Sequence, residues 1–153
     1  MTGQLKSAVH GQTLVLTLSN PTLRNALGPE MYTAGIEALN AAESNSEIRS
    51  VIITGEGAHF CAGGNLQRLL ANRKQAKEIQ AQSIDGLHTW MEAIHTFPKP
   101  VIAAVAGPAV GIGTTLLFHC DLVYAGDNAA FSMPFVNLGL CPEFASSMLA
   151  PQM

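Results

Sequence analysis

Apolar and polar residues alternate along the chain with two different periods, which predicts strands and helices in turn. Residues 13–18 alternate with period two, and Gly11 and Gln12 supply the turn of a strand pair over residues 9–18. Two further buried strands are predicted from short apolar runs between turn residues, at residues 49–55 and 101–106, and a third strand is predicted at residues 122–125.

Helices are predicted between these strands. Pro29 suits the first position of one helix, and Asn45 and Ser46 end it. The inner face of this helix is predicted to carry Met31, Ala34, Ile36, Ala38, Leu39 and Ala41. Further helices are predicted over residues 66–93 with a break near residues 85–86, over residues 111–120, and from Glu143 onward. Strands that alternate with helices predict an α/β fold with parallel strand pairing.

A repeat with an offset of 50 residues runs through the middle of the chain. Its paired positions are Val51 and Val101 at strand starts, Gly57 and Gly107 after the strands, and Gly63 and Gly113 in the next turns. The repeat suggests one unit of strand, glycine turn and helix used twice, as in a spiral.

The composition indicates one ordered domain. The 153 residues are 48% hydrophobic and 12% charged, which excludes disorder and predicts an unusually apolar surface, as at a subunit contact or where a piece of chain is missing. The net charge is −3 and no basic run occurs, so nucleic acid is not an expected partner. An odd number of cysteines without a C-x-x-C pair, and an N-terminus without a signal stretch, predict a reduced, cytoplasmic protein. The histidines show no metal-ligand spacing, and no metal is expected.

The uncharged segment at residues 101–118 is near the lower length limit of a membrane-spanning helix. Gly107, Pro108, Gly111 and Gly113 interrupt it. These breaks favour a buried strand, a tight turn and a buried helix, so no membrane association is expected.

Glycine-rich turns lie before two of the predicted helices, at residues 63–64 and 111–113. Glycine lets the chain turn tightly with its N–H groups exposed, and the start of a helix adds free N–H donors. Two such turns that converge would hold one oxygen between two N–H groups, which is an oxyanion hole for a thioester enolate. The spacing alone leaves an alternative open, in which the glycines only let helices pack close to strands.

Four segments resemble the crotonase (enoyl-CoA hydratase/isomerase) superfamily, in the family's order and over nearly the whole chain. Residues 60–66, Phe-Cys-Ala-Gly-Gly-Asn-Leu, resemble its motif F-[SC]-A-G-x-[DN]-L. Residues 99–113 resemble its second motif, K-P-[VT]-I-A-A-[VI]-x-G-x-[AC]-x-G-x-G. Cys-Asp-Leu-Val-Tyr-Ala at residues 120–125 also fits, as do Asn20-Pro21 and the Asn-Ala-Leu of residues 25–27.

The resemblance implies a spiral of ββα turns in which residues 1–153 form an N-terminal catalytic core without the C-terminal helical region of relatives. It implies an acyl-CoA thioester substrate whose carbonyl oxygen is held by the amides of Gly64 and Ile112. The substrate-binding residues it implies are Arg24, Ala26, Ala62, Gly63, Gly64, Asn65, Leu66, Gly111, Ile112, Phe135 and Leu138. Coenzyme A would enter as part of the substrate, with no separate cofactor, and a full-length chain would form a homotrimer or hexamer.

The catalytic carboxylates distinguish members of this family. The two glutamates of its hydratases would fall at Thr115 and Phe135, neither of which supplies an acid or a base. Pro142-Glu143 and the serines at residues 146–147 resemble the P-E-x-x-S-S segment of peroxisomal-type Δ3,Δ2-enoyl-CoA isomerases, in which the glutamate is the base. The resemblance therefore favours an isomerase with Glu143 as its single base. The alternative is a carboxylate that only complements a helix N-terminus.

Other interpretations of the same residues stay open at this point. Gly107, Gly111 and Gly113 match the glycine pattern of NAD(P)-binding short-chain dehydrogenases, although no Tyr-x-x-x-Lys pair follows. A relative that binds acyl-CoA without catalysis, or that has another acyl-CoA activity, is a further alternative. Cys61 is expected to be a buried thiol rather than a nucleophile, and Asn65 to fix the loop or a helix start.

Overall fold

A five-stranded sheet organises the molecule. The computed structural model describes residues 3–72 and 77–153, except for the side chains of residues 69, 72 and 77–85. The strands are β1 (Gln4–His10), β2 (Thr13–Ser19), β3 (Ser50–Gly55), β4 (Val101–Val105), β5 (Pro108–Val110), β6 (Leu122–Ala125) and β7 (Ala130–Ser132). The helices are α1 (Pro29–Ser44), α2 (Leu66–Asn72), α3 (Lys77–His95), α4 (Ile112–Thr115) and α5 (Ser146–Leu149). Short 3-10 segments lie at Pro21–Leu23, Leu116–His119, Val136–Leu138 and Ala150–Gln152.

The main sheet has the strand order β1-β2-β3-β4-β6. β1 and β2 form the predicted antiparallel pair, whereas β2, β3, β4 and β6 are parallel. Each new parallel strand is added at the same edge, without the reversal of strand order that defines a dinucleotide-binding crevice. The dehydrogenase-like alternative is therefore wrong, and the α/β prediction is confirmed.

The predicted 50-residue repeat is the register between β3 and β4. Val51 pairs with Val101, and Ile52 pairs with Ile102. Beyond the glycine turns a second layer of pairing begins, in which Leu27 bridges to Gly64, Cys61 bridges to Ala109, and β5 pairs with β7. Successive turns of the chain thus stack as a spiral, as the resemblance implied.

The buried face of α1 is rotated relative to the prediction. Ala41 is exposed, and Ala34, Ile36 and Ala38 are half-buried. The residues that α1 buries are Met31, Tyr32, Gly35, Leu39 and Ala42. The rotation has a physical cause: the indole of Trp90 on α3 lies so close to Gly35 that a Cβ there would collide with it. Sequence periodicity does not place glycine on a packed face, so the prediction missed Gly35 and its neighbours, whereas it placed Met31 and Leu39 correctly.

Two predicted helix boundaries also differ from the structure. α3 continues through residues 85–86, where Gly86 has no atom within 4 Å of the position that a Cβ would occupy. α2 and α3 cover most of the helix predicted at residues 66–93, whereas residues 73–76 lie outside the described residues. α5 begins at Ser146 rather than at Glu143, because Phe144 and Ala145 adopt left-handed backbone angles.

The segment at residues 101–118 forms the predicted strand and a short helix, but a second strand, β5, lies where only a tight turn was predicted. No described helix is long and apolar enough to cross a bilayer. Large apolar side chains are exposed along β6 and β7 and just after them. They are Leu122, Val123, Tyr124, Phe131, Met133 and Val136. The expected apolar surface is therefore present.

Candidate active site

The two glycine-rich turns pack directly against each other. Gly63 has φ +93°, a left-handed conformation that favours glycine, and a Cβ there would lie 2.9 Å from the carbonyl oxygen of Val110. Gly113 lies so close to Cys61 that an added Cβ would be 2.6 Å from the Cys61 carbonyl oxygen. Glycine at these positions is what allows the turns to touch.

The Gly64 amide is directed away from the strand-like segment beside it. The N–H of Leu27 donates to the Gly63 carbonyl at 2.8 Å, within a parallel bridge between Leu27 and Gly64. In a parallel pair, the carbonyl of the residue before the bridging residue and the N–H of the residue after it face the partner. The N–H of the bridging residue, Gly64, therefore points to the opposite side. Within the described part of the chain this N–H donates to no protein acceptor.

The Ile112 amide belongs to the first residue of α4, where the helix supplies no acceptor. The preceding Gly111 is held in its turn from both directions. Its N–H donates to the Ser132 carbonyl at 2.8 Å, and its own carbonyl accepts from the N–H of Thr114 at 2.9 Å. The orientation of the Ile112 amide is therefore fixed before any ligand arrives.

Both turns open into one cavity of about 490 Å³. Its lining includes most of the predicted site residues: Ala62, Gly63, Gly64, Asn65, Leu66, Gly111, Ile112, Phe135, Leu138 and Glu143. Its remaining lining is Leu27, Gly28, Pro29, Tyr32, Arg68, Leu87, His88, Val110, Pro134, Leu140 and Cys141. The fold thus brings the two glycine turns and one carboxylate to a common space.

Two predicted binding residues do not line this cavity. Arg24 is exposed and left-handed, with φ 53°, and its carbonyl accepts from the Ala62 N–H at 3.0 Å. Ala26 is buried in the same loop. The pair therefore lies beside the first glycine turn, and its predicted contact with coenzyme A stays a prediction.

Glu143 is half-buried at the wall of the cavity, among apolar neighbours that include Phe135 and Leu138. Burial raises the pKa of its carboxyl above the ordinary value, because removal from water disfavours the charged form. A carboxylate with a raised pKa is a stronger base than one in water.

Neither hydratase glutamate position carries a carboxylate in the cavity. Thr115 is fully buried, and its hydroxyl has no hydrogen-bond partner among the described residues. Phe135 lines the cavity with an apolar ring. The described lining therefore offers Glu143 as its carboxylate.

The expectations for two other residues are confirmed. Cys61 is fully buried, and burial raises the pKa of its thiol to about 12, which excludes a reactive thiolate. The side-chain oxygen of Asn65 accepts from the Arg68 N–H at 3.1 Å, so Asn65 caps the start of α2.

Sequence reasoning missed other residues around the cavity. Tyr32 lines it from the face of α1 that periodicity placed wrongly, and burial raises the pKa of its phenol. Asn25 is buried in the loop before α1, where its amide group donates to the carbonyls of Glu56 and His59. The sequence singled out Asn25 only as part of the Asn-Ala-Leu motif at residues 25–27, and no local pattern signals its buried hydrogen bonds.

Known proteins match this chain closely. The family model described as Enoyl-CoA hydratase/isomerase matches residues 9–153. The solved structure of an enoyl-CoA hydratase from Polaromonas sp. JS666 is 63% identical with a TM-score of 0.93, covering 98% of this chain and 58% of that chain.

Two curated relatives carry different activities in their names. The peroxisomal enoyl-CoA delta isomerase 3 of Mus musculus is 36% identical over 90% of this chain and 43% of its own length. The 2,3-dehydroadipyl-CoA hydratase of Escherichia coli is 37% identical over 86% of this chain and 49% of its own length. The chain thus spans about half the length of these relatives.

Proposed function

Because the chain belongs to the enoyl-CoA hydratase/isomerase (crotonase) family, we propose that it acts on an acyl-CoA thioester, as a Δ3,Δ2-enoyl-CoA isomerase. The observation that carries the proposal is one cavity shared by Gly64, Ile112 and Glu143. Two amides without acceptors among the described residues and one half-buried carboxylate are the groups that enolate chemistry requires.

The proposed reaction moves one proton. The Glu143 carboxylate removes a proton from C2 of a 3-enoyl thioester. The electron pair of that C–H bond forms a double bond between C1 and C2, and the π pair of the thioester carbonyl moves onto its oxygen. The N–H groups of Gly64 and Ile112 stabilise the resulting dienolate oxygen. The neutral carboxyl group then returns the proton to C4, which leaves the double bond between C2 and C3.

A hydratase is the second candidate, because the Escherichia coli and Polaromonas relatives carry that name. Water addition needs a base to activate water and an acid to protonate C2. Thr115 and Phe135 supply neither group at the positions where the resemblance places the family's two glutamates. A single carboxylate suits the proton transfer of an isomerase better.

Two other parts of the proposal come from the resemblance alone, and a third, the localisation, comes from the cysteine pattern and the N-terminal residues. Coenzyme A would enter as part of the substrate, with Arg24 near one of its phosphates and no separate cofactor. A full-length chain would assemble as a homotrimer or hexamer, which the mass measured by light scattering would test. The protein would be cytoplasmic, although the mouse relative is named as peroxisomal.

The test compares Glu143→Gln with Glu47→Gln, an exposed glutamate outside the cavity. Short and medium 3-enoyl-CoA substrates are supplied, and the 2-enoyl product is measured. We expect Glu143→Gln to lower kcat by about 100-fold or more, the usual contribution of a placed base, and Glu47→Gln to leave it unchanged.

The alternatives give different results in the same experiment. If Glu143→Gln turns over 3-enoyl-CoA as fast as the unaltered chain, Glu143 is not the base. Hydration of 2-enoyl-CoA as the faster reaction of the unaltered chain would favour the hydratase. Calorimetric binding of a saturated acyl-CoA without any turnover would identify a non-catalytic binder.

A further inference from the structure

A pair of histidines lies behind the segment that carries Glu143. The Nε2 atom of His119 is 2.8 Å from the carbonyl oxygen of Phe144, the residue that follows Glu143. The ring of His119 also stacks on the Phe144 ring, with centroids 3.8 Å apart and planes 17° apart. On its other side, Nδ1 of His119 is 3.2 Å from Nδ1 of His95 at the end of α3.

These contacts fix the protonation pattern of both rings. A carbonyl oxygen only accepts, so Nε2 of His119 carries the hydrogen. In the neutral ring Nδ1 of His119 is then a bare acceptor, and it receives a hydrogen bond from Nδ1–H of His95. Burial is the main cause that lowers the pKa of His119, which favours this neutral ring. His95 therefore selects the ring orientation that directs Nε2–H of His119 to the loop.

The loop that receives this hydrogen bond needs to be held. Phe144 and Ala145 have φ angles of 56° and 51°, both left-handed and both at residues with a side chain. Such conformations are unfavourable and persist only where the surroundings impose them. The two left-handed residues directly follow Glu143, so the chain turns sharply beside the residue whose carboxyl lines the cavity.

We propose that His119 is a positioning residue for Glu143, acting through the Phe144 carbonyl and ring, and that His95 orients His119 for this task. The inference rests on the proposed function, in which Glu143 is the base. His119 itself does not line the cavity, so it acts on the position of the carboxyl rather than on substrate.

The first measurement needs no variant and no activity. The ¹⁵N–¹H spectrum of the histidine rings reports which nitrogen carries the hydrogen. We expect His119 as the Nε2–H tautomer and His95 as the Nδ1–H tautomer at neutral pH. The opposite tautomer at His119 would overturn the inference, because that ring has no hydrogen to donate to the Phe144 carbonyl.

Variants separate the hydrogen bond from the stacking contact. His119→Phe keeps an aromatic ring against Phe144 and removes the donor, whereas His119→Gln retains an N–H donor at nearly the same reach. We expect His119→Phe to lower kcat about tenfold with KM changed less than twofold, since a misplaced base slows the proton transfer and not binding. We expect His119→Gln to recover most of that loss. His10→Phe, at an exposed position on β1, is the matched control.

A titration distinguishes failure of this inference from failure of the proposed function. The ¹³C signal of the Glu143 carboxyl is followed against pH in the unaltered chain and in His119→Phe. We expect the pKa of Glu143 to fall toward its ordinary value in His119→Phe, because the released loop exposes the carboxyl to water. If the unaltered chain shows no isomerase activity, the proposed function is refuted. The change in the pKa of Glu143 between the unaltered chain and His119→Phe still decides whether His119 positions the carboxyl. Equal titration and equal kcat in His119→Phe and His10→Phe would refute the positioning role. If His119→Phe does not fold, His95→Phe takes its place, with the same expected direction.

Discussion

Replacing Asn25 by alanine is expected to destabilise the fold strongly and to loosen the first glycine turn. The Asn25 side chain is 1% exposed and makes three hydrogen bonds. It donates to the carbonyls of Glu56 at 2.9 Å and His59 at 2.8 Å, and it accepts from the Asn20 N–H at 2.9 Å. These bonds connect the loop before α1 to the loop that leads into Phe60.

The magnitude follows from these contacts. Each hydrogen bond contributes about 1 kcal/mol net, and each buried partner left without a bond costs at least that much. Asn25 also has φ 59°, a left-handed angle that asparagine tolerates and that costs alanine about 1 kcal/mol more. Three hydrogen bonds and the left-handed angle, at about 1 kcal/mol each, together give an expected loss of about 4 kcal/mol in the free energy of unfolding. This is a large share of the about 5–15 kcal/mol of a typical domain.

Urea unfolding followed by circular dichroism measures this loss. Asn40→Ala, at an exposed position on α1, is the control and should change stability by less than about 0.5 kcal/mol. Asn25→Asp keeps the acceptor for the Asn20 N–H, but its carboxylate faces the two carbonyl oxygens of Glu56 and His59. The stability of this variant should improve as pH falls, because the protonated carboxyl has a hydrogen to donate. A loss below about 1 kcal/mol for Asn25→Ala would refute the reasoning that these bonds hold the loops together.

Three further predictions concern the glycines, the base and the thiols. Gly113→Ala should lower both stability and turnover, because its Cβ would lie 2.6 Å from the Cys61 carbonyl oxygen. Gly86→Ala has free space around its Cβ in α3, so it should stabilise the protein by about 0.5–1 kcal/mol, as measured by thermal unfolding. Activity should rise with pH through the raised pKa of Glu143, since only the ionised carboxylate removes a proton, and a kcat–pH profile that is flat from pH 4 to 9 would contradict this. The exposed Cys141 should be alkylated in the native protein well before Cys61, which mass mapping after brief iodoacetamide treatment would reveal.

The sequence alone predicted the strands of the main sheet, the helices between them and the spiral repeat, but not the short strands β5 and β7. These features depend on local rules, since period-two and period-3.6 patterns, proline and glycine act over a few residues. The offset between Val51 and Val101 became the register between β3 and β4, whereas the other parallel pairs have different offsets, since Thr13 pairs with Ser50 and Ile102 with Leu122. The motif residues around Gly64 and Ile112 likewise indicated where two amides would be free.

The tertiary structure decided which residues share a cavity. The face of α1 that contains Tyr32 is set by the contact of Gly35 with Trp90, and no local pattern encodes that contact. The connection from His95 through His119 to the Glu143 loop joins three distant parts of the chain. Close packing and buried hydrogen bonds depend on distances between elements, and a chain fixes those distances only when it is folded.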